Sequence, residues 1–517
     1  MTTLQSEMEG TTTGTQIQVE ETASRLSRNE RFLAAPVKDV RLSSVRGGAF
    51  TFAGQGLKFA LNMVSTVFLA RLLSPADYGL VGMVTSVTAL VQLLKDGGLD
   101  VATIQRERIT HEEVSNLFWA NAAISGILML LLVALSPVIA LLFHDKRLIW
   151  ITNAHAGILI FSGIAIQHQA LMRRQMSFAM LAVIDVMSQV IGVITGLAMA
   201  VRGCGYWSLV GMTAATSIST AISTWIAFPW VPGGPRRGHS IRPMLAFGRN
   251  IVGFNLLNYF TRNADSVLIG WYWGASALGI YQRAYQLLLL PINQLNAPMG
   301  SVALSAFSRV QQESERLRQY FLSGVSLVIS LSLPIIIALG IFADEIIRLV
   351  LGAQWGAAVP IFRCLGVAAF VGAAGHPVGW LLMATGRSDR YFRLALATCP
   401  LVVIAFITGL KFGPEGVATG YSIACGLAVV PVFAYAIRGT TVTLLDIGRA
   451  VQHPIIAASV AAIIACAFKW GFKKSLPGPG LAIAGCALYF SSYSAVLLIG
   501  FGQLQYYRRI FRGFFKR

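Results

Sequence analysis

The sequence predicts an all-α polytopic membrane protein. About fourteen transmembrane helices are expected, as two pseudo-symmetric six-helix lobes followed by a C-terminal helix pair. Three observations carry this reading. Of 517 residues, 55% are hydrophobic and only 12% charged. That is about half the charge of an ordinary soluble chain, too little to coat a water-facing surface of this size, and the chain is too apolar for intrinsic disorder. The second observation is a series of apolar stretches. The third is a repeat of the chain upon itself.

A membrane-spanning helix needs about 20 predominantly apolar residues. Such stretches occur near 48–70, 78–101, 116–142, 148–170, 179–201, 204–230, 246–271, 277–306, 321–343, 358–384, 391–412, 415–437, 451–471 and 480–502. The connections are short, which excludes an inserted soluble catalytic domain. The expected organisation is a polar cytoplasmic tail (1–46), an N-terminal lobe (47–235), a C-terminal lobe (236–438), the last two helices (439–502) and a basic cytoplasmic tail (503–517). Residues 1–46 have no apolar run, so no cleavable signal peptide is expected.

The net charge is +19, from 41 Lys+Arg against 22 Asp+Glu. With the N-terminus inside, 26 basic residues fall on inside segments, nine on outside segments and six within helices. The inside groups include Arg173/Arg174, Arg236/Arg237/Arg242, Arg387/Arg390/Arg393 and Arg508/Arg509/Arg512. Short loops with this bias place both termini in the cytoplasm. Lys469, Lys473 and Lys474 break the pattern, between the last two spans. The charge is thereby accounted for without a nucleic-acid partner. Cys204, Cys364, Cys399, Cys425, Cys466 and Cys486 lie in or beside apolar segments with no close pairing, so neither a disulfide framework nor a zinc site is implied.

Displacement by 200 residues lays Phe68-Leu-Ala-Arg-Leu-Leu-Ser-Pro-Ala-Asp-Tyr-Gly79 on Leu268-Ile-Gly-Trp-Tyr-Trp-Gly-Ala-Ser-Ala-Leu-Gly279. Each is a helix end, a turn of small residues and a glycine opening the next helix. Similar displacements relate Leu171-Met172 to Leu382-Met383, and the turn Gly203–Trp207 to Lys411–Glu415. Six helices per repeat is an even number, so both halves share an orientation, a transporter architecture.

The segments Gly48-Ala-Phe-Thr, Phe68–Gly79, Asp96-Gly-Gly-Leu-Asp100 with Ile104-Gln105, and Asn116-Leu-Phe-Trp119 together resemble the polysaccharide-exporter (Wzx-type) flippases of the MOP superfamily. The resemblance covers roughly residues 45–440. It implies export of undecaprenyl-diphosphate-linked oligosaccharide units across a bacterial inner membrane, with membrane lipids and the polymerase and export machinery of the same pathway as partners. Two other readings compete. One is a cation-coupled small-molecule antiporter of the MATE type, for which acidic cleft residues and about twelve helices are expected. The other is a membrane-embedded glycan polymerase or ligase, which needs a large outer loop that this chain lacks.

Ionisable residues inside a bilayer need a cavity or a partner. The repeat pairs Gln55 with Asn255, Lys58 with Asn258, Asn62 with Arg262 and Ser65 with Asp265. At about 100° per residue, each foursome falls within roughly 80° of arc. Each half therefore has one polar stripe with one basic residue. Facing stripes are expected to line a cleft whose positive charge suits the diphosphate of the implied substrate; alternatively, Arg262 pairs with Asp265 structurally. Arg283 and Arg363, near outer helix ends, are further cleft candidates or interfacial. Asp265 and Asp185 are coupling-ion candidates, and Asp185 alternatively bonds Ser188 and Gln189. Lys95, Asp96 and Asp100 read as a solvated helix cap. His155, His168 and His376 lack metal-ligand spacing, so no metal or cofactor is expected. No GxxxxGK[ST] loop, HExxH or triad spacing occurs, so neither ATP hydrolysis nor other catalysis is expected.

Overall fold

The computed structural model describes residues 40–95, 103–104, 109–234 and 242–508. These residues are overwhelmingly helical, with no strand among them. The tail 1–39, Asp96–Asp100, Arg236 and Arg237, and Arg509 and Arg512 lie outside the described residues.

The chain opens with α1 (Val40–Leu72), α2 (Pro75–Lys95), α3 (His111–Leu142), α4 (Arg147–Arg174), α5 (Phe178–Val201) and α6 (Trp207–Ala227). The helical stretch Arg242–Arg309 is broken at Gly274, where φ is 79° and ψ −174°. Only glycine adopts that conformation without strain, and it divides the stretch into α7 (242–273) and α8 (275–309). Then follow α9 (Ser314–Ile341), the short α10 (Ala343–Val350), α11 (Ala358–Ala384), α12 (Ser388–Leu410), α13 (Gly413–Ala436), α14 (Leu444–Phe472) and α15 (Gly478–Ala495).

Among the described residues, ten helices are long and apolar enough to cross a membrane: α3 to α6, α9, and α11 to α15. They coincide with ten of the fourteen expected spans. The other four expected spans fall on α1, α2, α7 and α8, of which α1 and α7 carry the polar stripes that lower their hydropathy. The count of fourteen thus remains an expectation, while the all-helical polytopic class is established. Large apolar side chains such as Leu141, Ile226, Trp470 and Ile499 are largely exposed. Lipid replaces water as their solvent, and helices satisfy every backbone group internally.

The chain forms two compact units. The first comprises residues 1–65, 87–141 and 145–256. Here α6 packs on α4 and α5. Its core joins Val114, Leu117 and Phe118 of α3 to Leu171 and Met172 of α4, Ile184 of α5, and Phe228 and Trp230 beyond α6. Trp230 is fixed by polar contacts as well as packing: its indole N–H donates to His111 Nδ1, and its carbonyl bonds His168 Nε2 at 3.0 Å.

The second unit comprises residues 66–86, 142–144 and 257–517. Its centre is α9, packed on α11 and α14 and buried along most of its apolar run. Phe307, Phe321, Phe342, Leu381, Leu382 and Tyr489 lie in one continuous core. Thr443 starts α14 with a capping box: its hydroxyl accepts from the Asp446 N–H at 3.2 Å, and the Asp446 carboxylate accepts from the Thr443 N–H at 3.0 Å. Loss of such a cap costs about 1 kcal/mol. Thr443→Ala is therefore expected to lower stability in detergent denaturation by that amount, and Thr443→Ser to restore it.

Within this unit the α1–α2 and α7–α8 turns cross. A Cβ on Gly79 would collide with the carbonyl oxygen of Ala275, and a Cβ on Gly279 with that of Pro75. These pairs are each other's images under the 200-residue displacement. A Cβ on Gly82 would likewise meet the Gln282 carboxamide, again 200 residues on. The contact is reciprocal, as a pseudo-two-fold axis requires. Trp355 holds the α1–α2 turn: its indole N–H donates to the Ala70 carbonyl at 2.8 Å, and its ring meets that of Tyr78 edge-on at 5.4 Å.

Candidate functional site

The polar stripe on α1 lies along a seam with α5 inside the first unit. The two helices run in the same direction, and their partners advance together. Gly54 sits against Ala182, with 3.1 Å between an added Cβ and the alanine methyl. One turn on, Lys58 Nζ donates to Asp185 Oδ2 at 3.0 Å. A further turn on, Gln189 Nε2 donates to Asn62 Oδ1 at 3.0 Å. Ser65, buried, reaches Met212 Sδ on α6 at 3.5 Å. The small residue at position 54 lets the backbones approach, and the polar rungs follow at the helical repeat. Gln55 is exposed beside this seam.

Asp185 therefore bonds neither Ser188 nor Gln189. Ser188 is buried, and Gln189 is engaged with Asn62. Lys58 is a half-exposed cation that already carries a counter-ion, not an unpaired charge.

On α7 the matching stripe is described in part. The side chains of Asn255, Asn258 and Arg262 lie outside the described residues, so the Arg262–Asp265 alternative is not addressed. Asp265 itself is buried, 3% exposed. Its Oδ2 accepts from the Tyr281 hydroxyl at 2.8 Å, and its Oδ1 from the Ser266 N–H at 2.6 Å. Gln282 Nε2 donates to Ser266 Oγ at 3.3 Å. Because Tyr281 and Gln282 belong to α8, the Gly274 turn brings this network together.

Arg283 joins the crossing of the two turns: its guanidinium stands over the Tyr78 ring, 3.9 Å from the centroid, a cation–π geometry. Arg363 is exposed on α11 and donates to the Gly340 carbonyl at 3.3 Å. Both belong to the second unit.

Lys469 explains its own departure from the charge pattern. It turns inward, donating to Glu345 at 2.8 Å and to the Ile341 carbonyl at 2.7 Å. His155 Nδ1 bonds the Ile151 carbonyl at 3.0 Å, and His376 stacks on Trp380. Among the described residues, no group of His, Cys, Asp and Glu is placed to hold a metal ion.

Sequence reasoning missed three partners: Asp185 for Lys58, Tyr281 for Asp265 and Glu345 for Lys469. One signal was present for the first. Lys58 to Asp185 and Asn62 to Gln189 are both separated by 127 residues, so one helix register satisfies both pairs.

The family model described as "Polysaccharide biosynthesis protein" matches residues 68–360. The chain is 25% identical over 391 residues to "Lipopolysaccharide biosynthesis protein WzxC" of Escherichia coli (strain K12), covering 74% of this chain and 78% of that protein. It is 30% identical over 308 residues to "Teichuronic acid biosynthesis protein TuaB" of Bacillus subtilis (strain 168), covering 59% and 64%. Among solved structures, "Lipid II flippase MurJ, inward closed conformation" superposes with a TM-score of 0.69 over 89% of this chain and 99% of that one, at 15% identity. At that identity the likeness concerns the fold.

Proposed function

We propose that this chain, which belongs to the polysaccharide biosynthesis protein family, moves undecaprenyl-diphosphate-linked oligosaccharide repeat units from the cytoplasmic to the outer leaflet of the bacterial inner membrane. It acts as a transporter, by alternating access, with both termini in the cytoplasm. The relatives' names support the pathway: two of them act in lipopolysaccharide and teichuronic acid biosynthesis. The observation that carries the mechanism is the polar seam on α1. An accessible ammonium, with the carboxamides of Asn62 and Gln189 one turn away, stands inside a unit built of apolar spans. Fixed cations at membrane depth mark a substrate path, and an ammonium is suited to phosphate oxygens.

In this reading Lys58 on α1 and Arg262 on α7 hold the diphosphate. Gln55, Asn62, Asn255 and Asn258 bond the sugar and phosphate oxygens around it, and Arg283 and Arg363 attract it nearer the outer surface. Asp265 is the coupling carboxylate, enclosed and hydroxyl-bonded within the second unit. The polymerase and export machinery of the pathway take up the product.

Lys58→Asn and Arg262→Asn are each expected to lower polysaccharide export at least tenfold while membrane abundance stays unchanged. Lys58→Asn combined with Asn258→Lys, which moves the charge to the repeat-related position, is expected to recover part of it. Cell-surface polysaccharide measured beside immunoblots of the membrane fraction is the readout. Normal export from the Lys58→Asn, Arg262→Asn double variant overturns the cationic path.

A further inference from the structure

We propose that the Lys58–Asp185 pair is an exchange site: an incoming lipid diphosphate takes the place of Asp185 as the counter-ion of Lys58, and Asp185 reclaims it when the anion leaves. This rests on the function proposed above and gives its cation a resting partner.

Three observations support exchange over a fixed strut. The first is access. The Lys58 and Asp185 side chains are 30% and 39% exposed, whereas those of Lys469 and Glu345 are 18% and 8% exposed. Lys469 is held by two acceptors, a carboxylate and a carbonyl. Lys58 donates to Asp185 alone among the described residues. An ammonium has three donors, so two N–H groups remain to receive a second anion before the first leaves.

The second observation is the missing counterpart. Position 258, the repeat image of Lys58, is asparagine, and α12 carries one acidic residue, Asp389, in its first turn. α7 and α12 are nonetheless joined, by the Trp273 indole N–H donating to the Leu410 carbonyl at 2.8 Å. The Lys58–Asp185 pair is therefore not copied residue for residue from one half of the repeat to the other.

The third is the chemistry of competition. A carboxylate brings one negative charge. A diphosphate diester brings two charges and several acceptor oxygens, and charge-assisted bonds to such oxygens are the strong ones. Exchange keeps Lys58 paired in both states, so neither state bears a lone cation in the membrane. Gln189, one turn along α5 from Asp185, gives one amide N–H to Asn62 and has a second able to receive the freed carboxylate.

The test uses the full chain in nanodiscs, with undecaprenyl diphosphate, undecaprenol and inorganic pyrophosphate as probes. Asp185→Asn removes the competitor and is expected to bind undecaprenyl diphosphate about tenfold more tightly than the unaltered protein, ~1.4 kcal/mol. Lys58→Gln is expected to bind it about tenfold more weakly. In the Lys58→Gln background, Asp185→Asn is expected to change nothing. Undecaprenol, lacking phosphate, is expected to bind all variants alike. Equal or weaker lipid binding by Asp185→Asn overturns the exchange. Pyrophosphate binding as tightly as the lipid assigns the site to free phosphate and overturns the lipid ligand. Absence of lipid binding by the unaltered protein instead overturns the function proposed above. A measurement independent of variant folding is carbodiimide labelling of Asp185 in the unaltered chain. It is expected to rise several-fold when undecaprenyl diphosphate is added, and constant labelling with saturating lipid refutes the release of Asp185.

Discussion

Gly79→Ala is expected to remove most of the protein from the membrane. The added Cβ meets the carbonyl oxygen of Ala275, a backbone atom that cannot rotate aside. Overpacking typically costs about 1–3 kcal/mol when side chains can adjust, and here the main chain of the α7–α8 turn has to move. The cost is therefore expected at or above the top of that range. Gly279→Ala is expected to match it, because its Cβ meets the Pro75 oxygen in the reciprocal contact. Gly126 on α3 and Gly157 on α4 have open space where a Cβ would stand. Alanine there is expected to be neutral or to stabilise by up to about 1 kcal/mol, the helix-propensity difference. Membrane abundance and thermal aggregation of the detergent-solubilised chain measure all four. If Gly79→Ala behaves like Gly157→Ala, the crossing is not close-packed and the reciprocal contact is wrong.

Glu345→Ala is expected to produce the second large effect. It leaves the half-buried Lys469 ammonium between α10 and α14 with the Ile341 carbonyl and the face of the Phe342 ring as its partners. Breaking a buried pair by removing one member costs about 3–5 kcal/mol, whereas replacing both members by apolar side chains is often neutral. Glu345→Leu with Lys469→Met is therefore expected to recover the stability that either single change loses. The contact lies where α15 also docks: a Cβ on Gly485 would collide with the Phe342 ring. The single variants are thus expected to loosen α14 and α15, raising protease cleavage in the 473–477 connection and lowering the melting temperature. If Glu345→Ala leaves both unchanged, the pair behaves as an exposed one, worth at most about 1 kcal/mol.

The candidate site was legible in its residue types and illegible in its pairings. Helical periodicity placed Lys58, Asn62 and Ser65 on one face of α1, and the structure finds all three directed at neighbouring helices of their own unit. Periodicity assigns a residue to a face. It does not say which helix covers that face or at what axial offset. Asp185 accordingly read as an isolated carboxylate, although it lies at the one register that also joins Gln189 to Asn62. Arg283 read as cleft or interfacial, and its aromatic partner Tyr78 lies 205 residues earlier in the chain. Asp265 read as a coupling carboxylate or, because three residues separate them, as a partner for Arg262. Its described donors are the adjacent Ser266 N–H and Tyr281, which reaches it only because Gly274 folds α8 back on α7.

The sequence by itself determined the solvent, the secondary structure and the repeat. Too few charges to face water require lipid, and lipid requires helices, since backbone groups there find no other partners. The 200-residue displacement already matched Gly79 to Gly279 and Pro75 to Ala275. Only the tertiary structure decided that these matched residues touch one another, that residues 66–86 pack with the second unit, and which charges neutralise which. The physical reason is range. Composition and periodicity are local properties, governed by hydration and by 3.6 residues per turn. Ion pairing and backbone crossing depend on the offset between helices, which the close packing of small residues such as Gly54, Gly79 and Gly279 sets.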